Sequence, residues 1–106
     1  MEKQNGCGNH KIFELFQGKW NLWILAVLSQ KDSMRFGEIK KAIPKISNTM
    51  LSETLRTLEE YGLVSRVQFN EIPPHVEYSA TEATKELKDA LLALAEWGEK
   101  WLPDDV

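Results

Sequence analysis

The sequence predicts a mainly helical α+β domain, and three observations carry that prediction. Apolar residues recur at helical spacing through residues 10–61. From 63 to 81 the spacing switches to alternation on either side of a proline pair, as in two strands joined by a tip. From 82 to 102 it returns to helical spacing, over about six turns.

Taken in order, residues 10–17 (HKIFELFQ) predict a short helix with Ile12, Phe13 and Phe16 inward, broken at Gly18. Residues 19–29 (KWNLWILAVLS) are apolar on nearly every side and predict the buried centre of the domain. SMRF at 33–36 fits a stub of strand. GEIKKAI at 37–43 predicts a third helix, stopped by Pro44, whose ring and missing N–H end helices. The segment 47–61 predicts a helix with both ends marked. Ser47 is a good N-cap, and Gly62 suits the left-handed position that closes a helix.

The first strand, LVSRVQFN, puts Leu63, Val67 and Phe69 on one side and Arg66 and Gln68 on the other. EIPPH cannot continue a ladder and makes the tip. In HVEYSAT, Val76, Tyr78 and Ala80 share a side, and Thr81 is placed to cap the last helix, which ends before Pro103.

The helix at 47–61 has two faces. At about 100° per residue, Ser52, Glu53 and Arg56 fall within about 60° of Thr49, while Leu51, Leu55 and Leu58 lie opposite. Taken alone, such a stripe is a solvated surface with one weak Glu53–Arg56 pair. The order of elements changes that reading. Short helix, turn, capped helix and hairpin make a winged helix-turn-helix, with the helix-turn-helix at 37–61 and the wing at 63–81. In that architecture the second helix enters the DNA major groove. Ser47, Asn48, Thr49, Ser52, Glu53 and Arg56 then become the candidate recognition residues. Lys40, Lys41, Lys45, Arg66 and His75 are the candidates for the DNA backbone and the wing contact.

Length and composition set the frame. With 106 residues, 42% apolar and 27% charged, the chain is expected to be one globular domain, 1–106. The net charge of −3 is unevenly spread. Residues 1–66 hold ten basic against seven acidic side chains, a balance of +3, and residues 67–106 hold three against nine, a balance of −6. A local basic surface is what a phosphate backbone meets, so the acidic total does not exclude double-stranded DNA. The longest apolar run, LWILAVL at 22–28, is far shorter than a membrane span, and the N-terminus has no hydrophobic targeting segment. One cysteine allows no internal disulfide, and a cytoplasmic protein is expected.

In the last helix, 82–102, Leu87, Leu91, Leu94, Gly98 and Trp101 step by four, three, four and three, with Ala90 and Trp97 widening the stripe. A domain this small has little surface left to cover it. A homodimer is therefore expected, with Leu87, Leu91, Leu94, Trp97 and Trp101 at the interface.

These motifs together resemble the HxlR-type bacterial transcriptional regulators, winged-helix relatives of the MarR regulators. The resemblance is carried by GKW (18–20), RFGEIKKAIPKIS (35–47), ML (50–51), LRTLEEYGLVSR (55–66), PPHVEYS (73–79) and AEWGEKW (95–101). It implies a dimeric DNA-binding regulator, usually a repressor and sometimes an activator, with terminal helices in the dimer contact. Cys7 stands thirteen residues before Trp20, where many members have a cysteine. Some members sense oxidants, quinones or aldehydes there, so Cys7 is a candidate redox sensor and a small-molecule or oxidant effector is an open expectation.

The chain departs from the family pattern at several positions. Thr49 and Glu53 replace residues that are often basic or amide, His75 stands where arginine is common, and Gly8 follows Cys7 in place of proline. An acidic side chain can accept from a cytosine amine but repels phosphate. His75 predicts a wing grip that strengthens on protonation. Cys7-x-x-His10 offers two ligands without a second pair, a poor metal site. No phosphate loop, nucleophile elbow or catalytic constellation is present, so neither cofactor nor enzyme activity is expected. The competing reading is a winged-helix protein–protein interaction module that has lost DNA.

Overall fold

The computed structural model describes residues 10–104. Five helices and one hairpin form the winged helix-turn-helix: α1 (His10–Gln17), α2 (Asn21–Ser29), α3 (Phe36–Ala42), α4 (Asn48–Glu60), β1 (Val64–Phe69), β2 (His75–Ala80) and α5 (Glu82–Trp101).

α2 is the hub. Its Ile24, Leu25 and Leu28 have no exposed surface, and it meets α1, α3, α5 and β2. Ile39 of α3, Leu51, Leu55 and Leu58 of α4, Val64, Ala80 and Leu91 complete one core. The turn between α3 and α4 sends Ile43 and Ile46 into that core, closed by Ile46 N–H donating to the Ile43 carbonyl at 3.2 Å. The stub expected at 33–36 is one antiparallel bridge. Met34 and Tyr78 exchange two backbone hydrogen bonds of 2.8 Å, which ties the hairpin's base to the body.

β1 and β2 pair antiparallel from Val64↔Ala80 to Phe69↔His75. Here the alternation misleads. The core residue of β1 is Val64, and Val67 is exposed. Val64 and Ala80 at the base of the hairpin are buried against the body, whereas Arg66, Val67 and Gln68 farther along β1 are exposed.

α1 differs from expectation in the same way. Leu15 is its buried residue, Ile12 packs partly against the core, and Phe13 and Phe16 lie outward at 53% and 45% exposure. A short helix at the edge, packed mainly on α2, has only one narrow stripe covered.

Thr81 occupies the N-cap position of α5 in extended backbone but makes no side-chain cap. Its hydroxyl donates instead to the Gly62 carbonyl at 2.7 Å, at the turn where Gly62 takes its positive φ of 80°. No helix among the described residues is long and apolar enough to cross a membrane.

Candidate nucleic-acid interface

α4 is built as its sequence suggests. The Ser47 side chain accepts from Met50 N–H at 3.0 Å, supplying one of the bonds the first turn lacks. Thr54 donates back to the Met50 carbonyl at 2.7 Å and is buried beside Leu51, Leu55 and Leu58. With that face fixed, Asn48, Thr49, Ser52, Glu53 and Arg56 are all exposed.

The stripe divides at the level of side chains. Ser52 and Arg56 lean toward the wing and line a cleft of about 360 Å³ with Leu55, Glu59, Arg66 and Tyr78. Glu53 leans the other way. It shares a second groove of about 360 Å³ with Met50, Thr54, Thr57 and Tyr61 of the α4 end and with Glu14, Gln17, Gly18 and Asn21 of the α1–α2 corner. Thr49 stands between the two, at the front of the helix.

The lysines separate as well. Lys41 and Lys45 are exposed, whereas Lys40 is partly buried and its ammonium donates to the Pro44 carbonyl at 3.1 Å. Lys40 thereby ties off the turn between α3 and α4. Arg66 is exposed on β1.

His75 is placed otherwise than the sequence led us to expect. Its ring stacks on Phe69 with centroids 4.8 Å apart. Nε2 lies 3.0 Å from Glu77 Oε2, and Nδ1 lies 3.7 Å from Glu71 Oε1. A proton gained by His75 is therefore met by carboxylates of its own wing and adds little outward charge. Ser33 donates to the other Glu77 oxygen at 3.0 Å. This bond, seconded by His75, holds the Glu77 carboxyl below its usual range. The exposed tip beyond is Ile72, preceding a cis peptide to Pro73.

The α5 stripe is also shared out. Leu91 is buried against the chain's own core and Leu87 packs partly against it. Leu94, Trp97 and Trp101 remain 50%, 55% and 63% exposed. Leu94 and Trp97, with Ala90 and Ala93, line an open apolar groove of about 620 Å³. Trp23, Phe13 and Phe16 add exposed apolar surface that α1 and α2 periodicity did not reveal. Cys7 lies outside the described residues. Among the described residues no three or more His, Cys, Asp or Glu side chains are grouped to hold a metal.

Comparison with known proteins agrees with this architecture. The family profile described as HxlR-like helix-turn-helix matches residues 15–106. The uncharacterised HTH-type transcriptional regulator YkvN of Bacillus subtilis is 44% identical over 96 residues, which is 91% of this chain and 80% of that one. The crystal structure of a regulator assigned to the MarR family, from Porphyromonas gingivalis, superposes with a TM-score of 0.83 at 34% identity. That match covers 96% of this chain and 99% of the other. The redox regulator HypR in its oxidised form gives 0.79 at 34% identity, covering 86% and 93%.

Proposed function

The chain belongs to the HxlR-like helix-turn-helix family, and on that footing we propose that it is a transcriptional regulator that binds an inverted-repeat operator as a homodimer. Repression is the expected sense of regulation. The observation that carries the reading is α4: a capped helix whose apolar face is wholly buried and whose opposite face offers Asn48, Thr49, Ser52, Glu53 and Arg56 to solvent. That is the form of a helix that enters a major groove, with the β1–β2 hairpin beside it to reach the flanking minor groove.

Lys41, Lys45 and Arg66 supply backbone attraction, and Lys40 contributes less because the Pro44 carbonyl holds it. Two recognition helices that read successive half-sites need about 34 Å between them, which calls for a pair of subunits. Leu94, Trp97 and Trp101 are the most exposed large apolar residues of α5 and serve that contact, with Phe13 and Phe16 of α1 as its second strip. A redox response through Cys7 is supported by the likeness to HypR and by the position of the thiol in the sequence.

The test is selection of bound fragments from sheared genomic DNA by the purified, reduced protein, repeated after mild oxidation. Enrichment of an inverted repeat is the expected result, and its loss on oxidation, absent in Cys7→Ser, assigns the switch. No enrichment in either state overturns the reading in favour of a protein-interaction module.

A further inference from the structure

The cleft between α4 and the wing brings two arginines from different elements to one place. Arg56 comes from the helix and Arg66 from β1, and Ser52, Glu59 and Tyr78 complete the polar lining. Among the described residues neither guanidinium has an ion pair or hydrogen bond, although Glu59 shares the cleft. Two like charges that line one cleft repel, and an anion between them turns that repulsion into attraction. Guanidinium forks match tetrahedral oxyanions, which they engage through paired N–H bonds.

Position then says which anion. If α4 lies in the major groove and the hairpin reaches the flanking minor groove, the phosphodiester strand dividing the two grooves must pass between helix and wing. The cleft lies between the same two elements. We propose that it seats one backbone phosphate per subunit, held jointly by Arg56 and Arg66 with the Ser52 hydroxyl as a neutral donor. Glu59 in the same cleft leaves room electrostatically for a single anion. The proposal rests on the DNA-binding reading above and changes the role of Arg56. Its position on α4 made it a base reader, but the tertiary cleft makes it a backbone ligand that fixes the register of the helix. Base readout then falls to Asn48, Thr49 and Glu53.

The experiment is fluorescence anisotropy over a salt series with two labelled duplexes of equal length, one recovered in the genomic selection and one of random sequence. Wild type is compared with Arg56→Gln, Arg66→Gln and the double variant, with thermal melts to check folding. Each single change should weaken both duplexes by the same factor, about tenfold, leaving their ratio unchanged. The double variant should lower the salt slope by about one per subunit, the signature of one shared phosphate. A loss by Arg56→Gln confined to the selected duplex would make it a base reader and overturn the seat. So would a fall of about two per subunit, or an unchanged slope. A wild-type protein that binds neither duplex overturns the DNA-binding reading itself, which is a separate result.

Discussion

The hydroxyl of Thr84, on the first turn of α5, donates to the backbone carbonyl of Leu63 at 2.7 Å across 21 residues of sequence. Leu63 O also accepts from Thr81 N–H at 3.2 Å, and the Thr81 hydroxyl takes the neighbouring Gly62 carbonyl. Two threonines thus fasten the start of α5 to the turn that joins the recognition helix to the wing. Two side-chain bonds of 2.7 Å there tie the α4–β1 turn to the long C-terminal helix.

Thr84 is wholly buried, so Thr84→Val keeps the volume and removes the bond. Leu63 O retains a partner, which limits the cost to about 1 kcal/mol. Urea unfolding should show a lower midpoint at unchanged slope. An unchanged midpoint would mean that the bond is not made in solution.

Two glycines should respond in opposite directions. A Cβ on Gly18 would collide with the Asn21 side-chain amide, which donates to the Leu15 carbonyl at 3.0 Å and closes the α1–α2 corner. Gly18→Ala should therefore destabilise by about 1–3 kcal/mol. Gly37 lies in α3 with nothing near its would-be Cβ, and Gly37→Ala should stabilise by about 0.5–1 kcal/mol. Thermal melts of the two single variants decide both signs.

The α5 stripe predicts a separation of stability from assembly. Leu91→Ala should cost about 2–5 kcal/mol, because the side chain is buried in its own subunit. Trp97→Glu should leave the fold intact and shift sedimentation toward monomer, because Trp97 is exposed and lines the apolar groove. If Trp97→Glu melts like the unfolded chain or sediments as wild type does, the interface has been placed on the wrong residues.

Glu77 predicts an acid limb. Its folded carboxyl is held below the ordinary value by Ser33 and then His75, so it binds protons less readily folded than unfolded. The stabilisation is therefore complete above the unfolded carboxylate value and fades as pH falls through the lower folded value. Ser33→Ala should therefore lower stability at neutral pH, flatten the loss across that acid window and converge with wild type at its acid end. Denaturation midpoints of both proteins at stepped pH test this.

Charge at the interface gives a last contrast. Lys41→Ala and Lys45→Ala should each weaken DNA binding and reduce the salt slope by about one per subunit, because both ammonium groups are exposed. Lys40→Ala should change the slope less and stability more, because its ammonium holds the Pro44 carbonyl. Equal slope losses at all three positions would place Lys40 on the backbone after all.

Much of this was legible along the chain. Ser47 and Gly62 mark the ends of α4, and Leu51, Leu55 and Leu58 mark its buried face, because capping and helical periodicity are local and repeat within a few residues. The stub at Met34, the hairpin and the long last helix follow from the same local rules. The failures share one cause. Phe13, Phe16 and Val67 have the spacing of buried residues, but spacing says which residues share a face and not whether anything covers it.

By itself, then, the sequence determined the element order, the ends of the recognition helix and the family, all of which rest on short-range propensity and motif spacing. Tertiary structure alone decided that His75 is enclosed by Glu71 and Glu77, that Leu91 belongs to its own core, and that Arg56 turns toward Arg66 while Glu53 turns away. The physical reason is that a side chain's charge and exposure are set by whichever segment folds against it. Leu91 and Arg56 meet segments on other elements, beyond the reach of any local pattern, and His75 meets Glu71 and Glu77 only once the hairpin fixes which way the three side chains point.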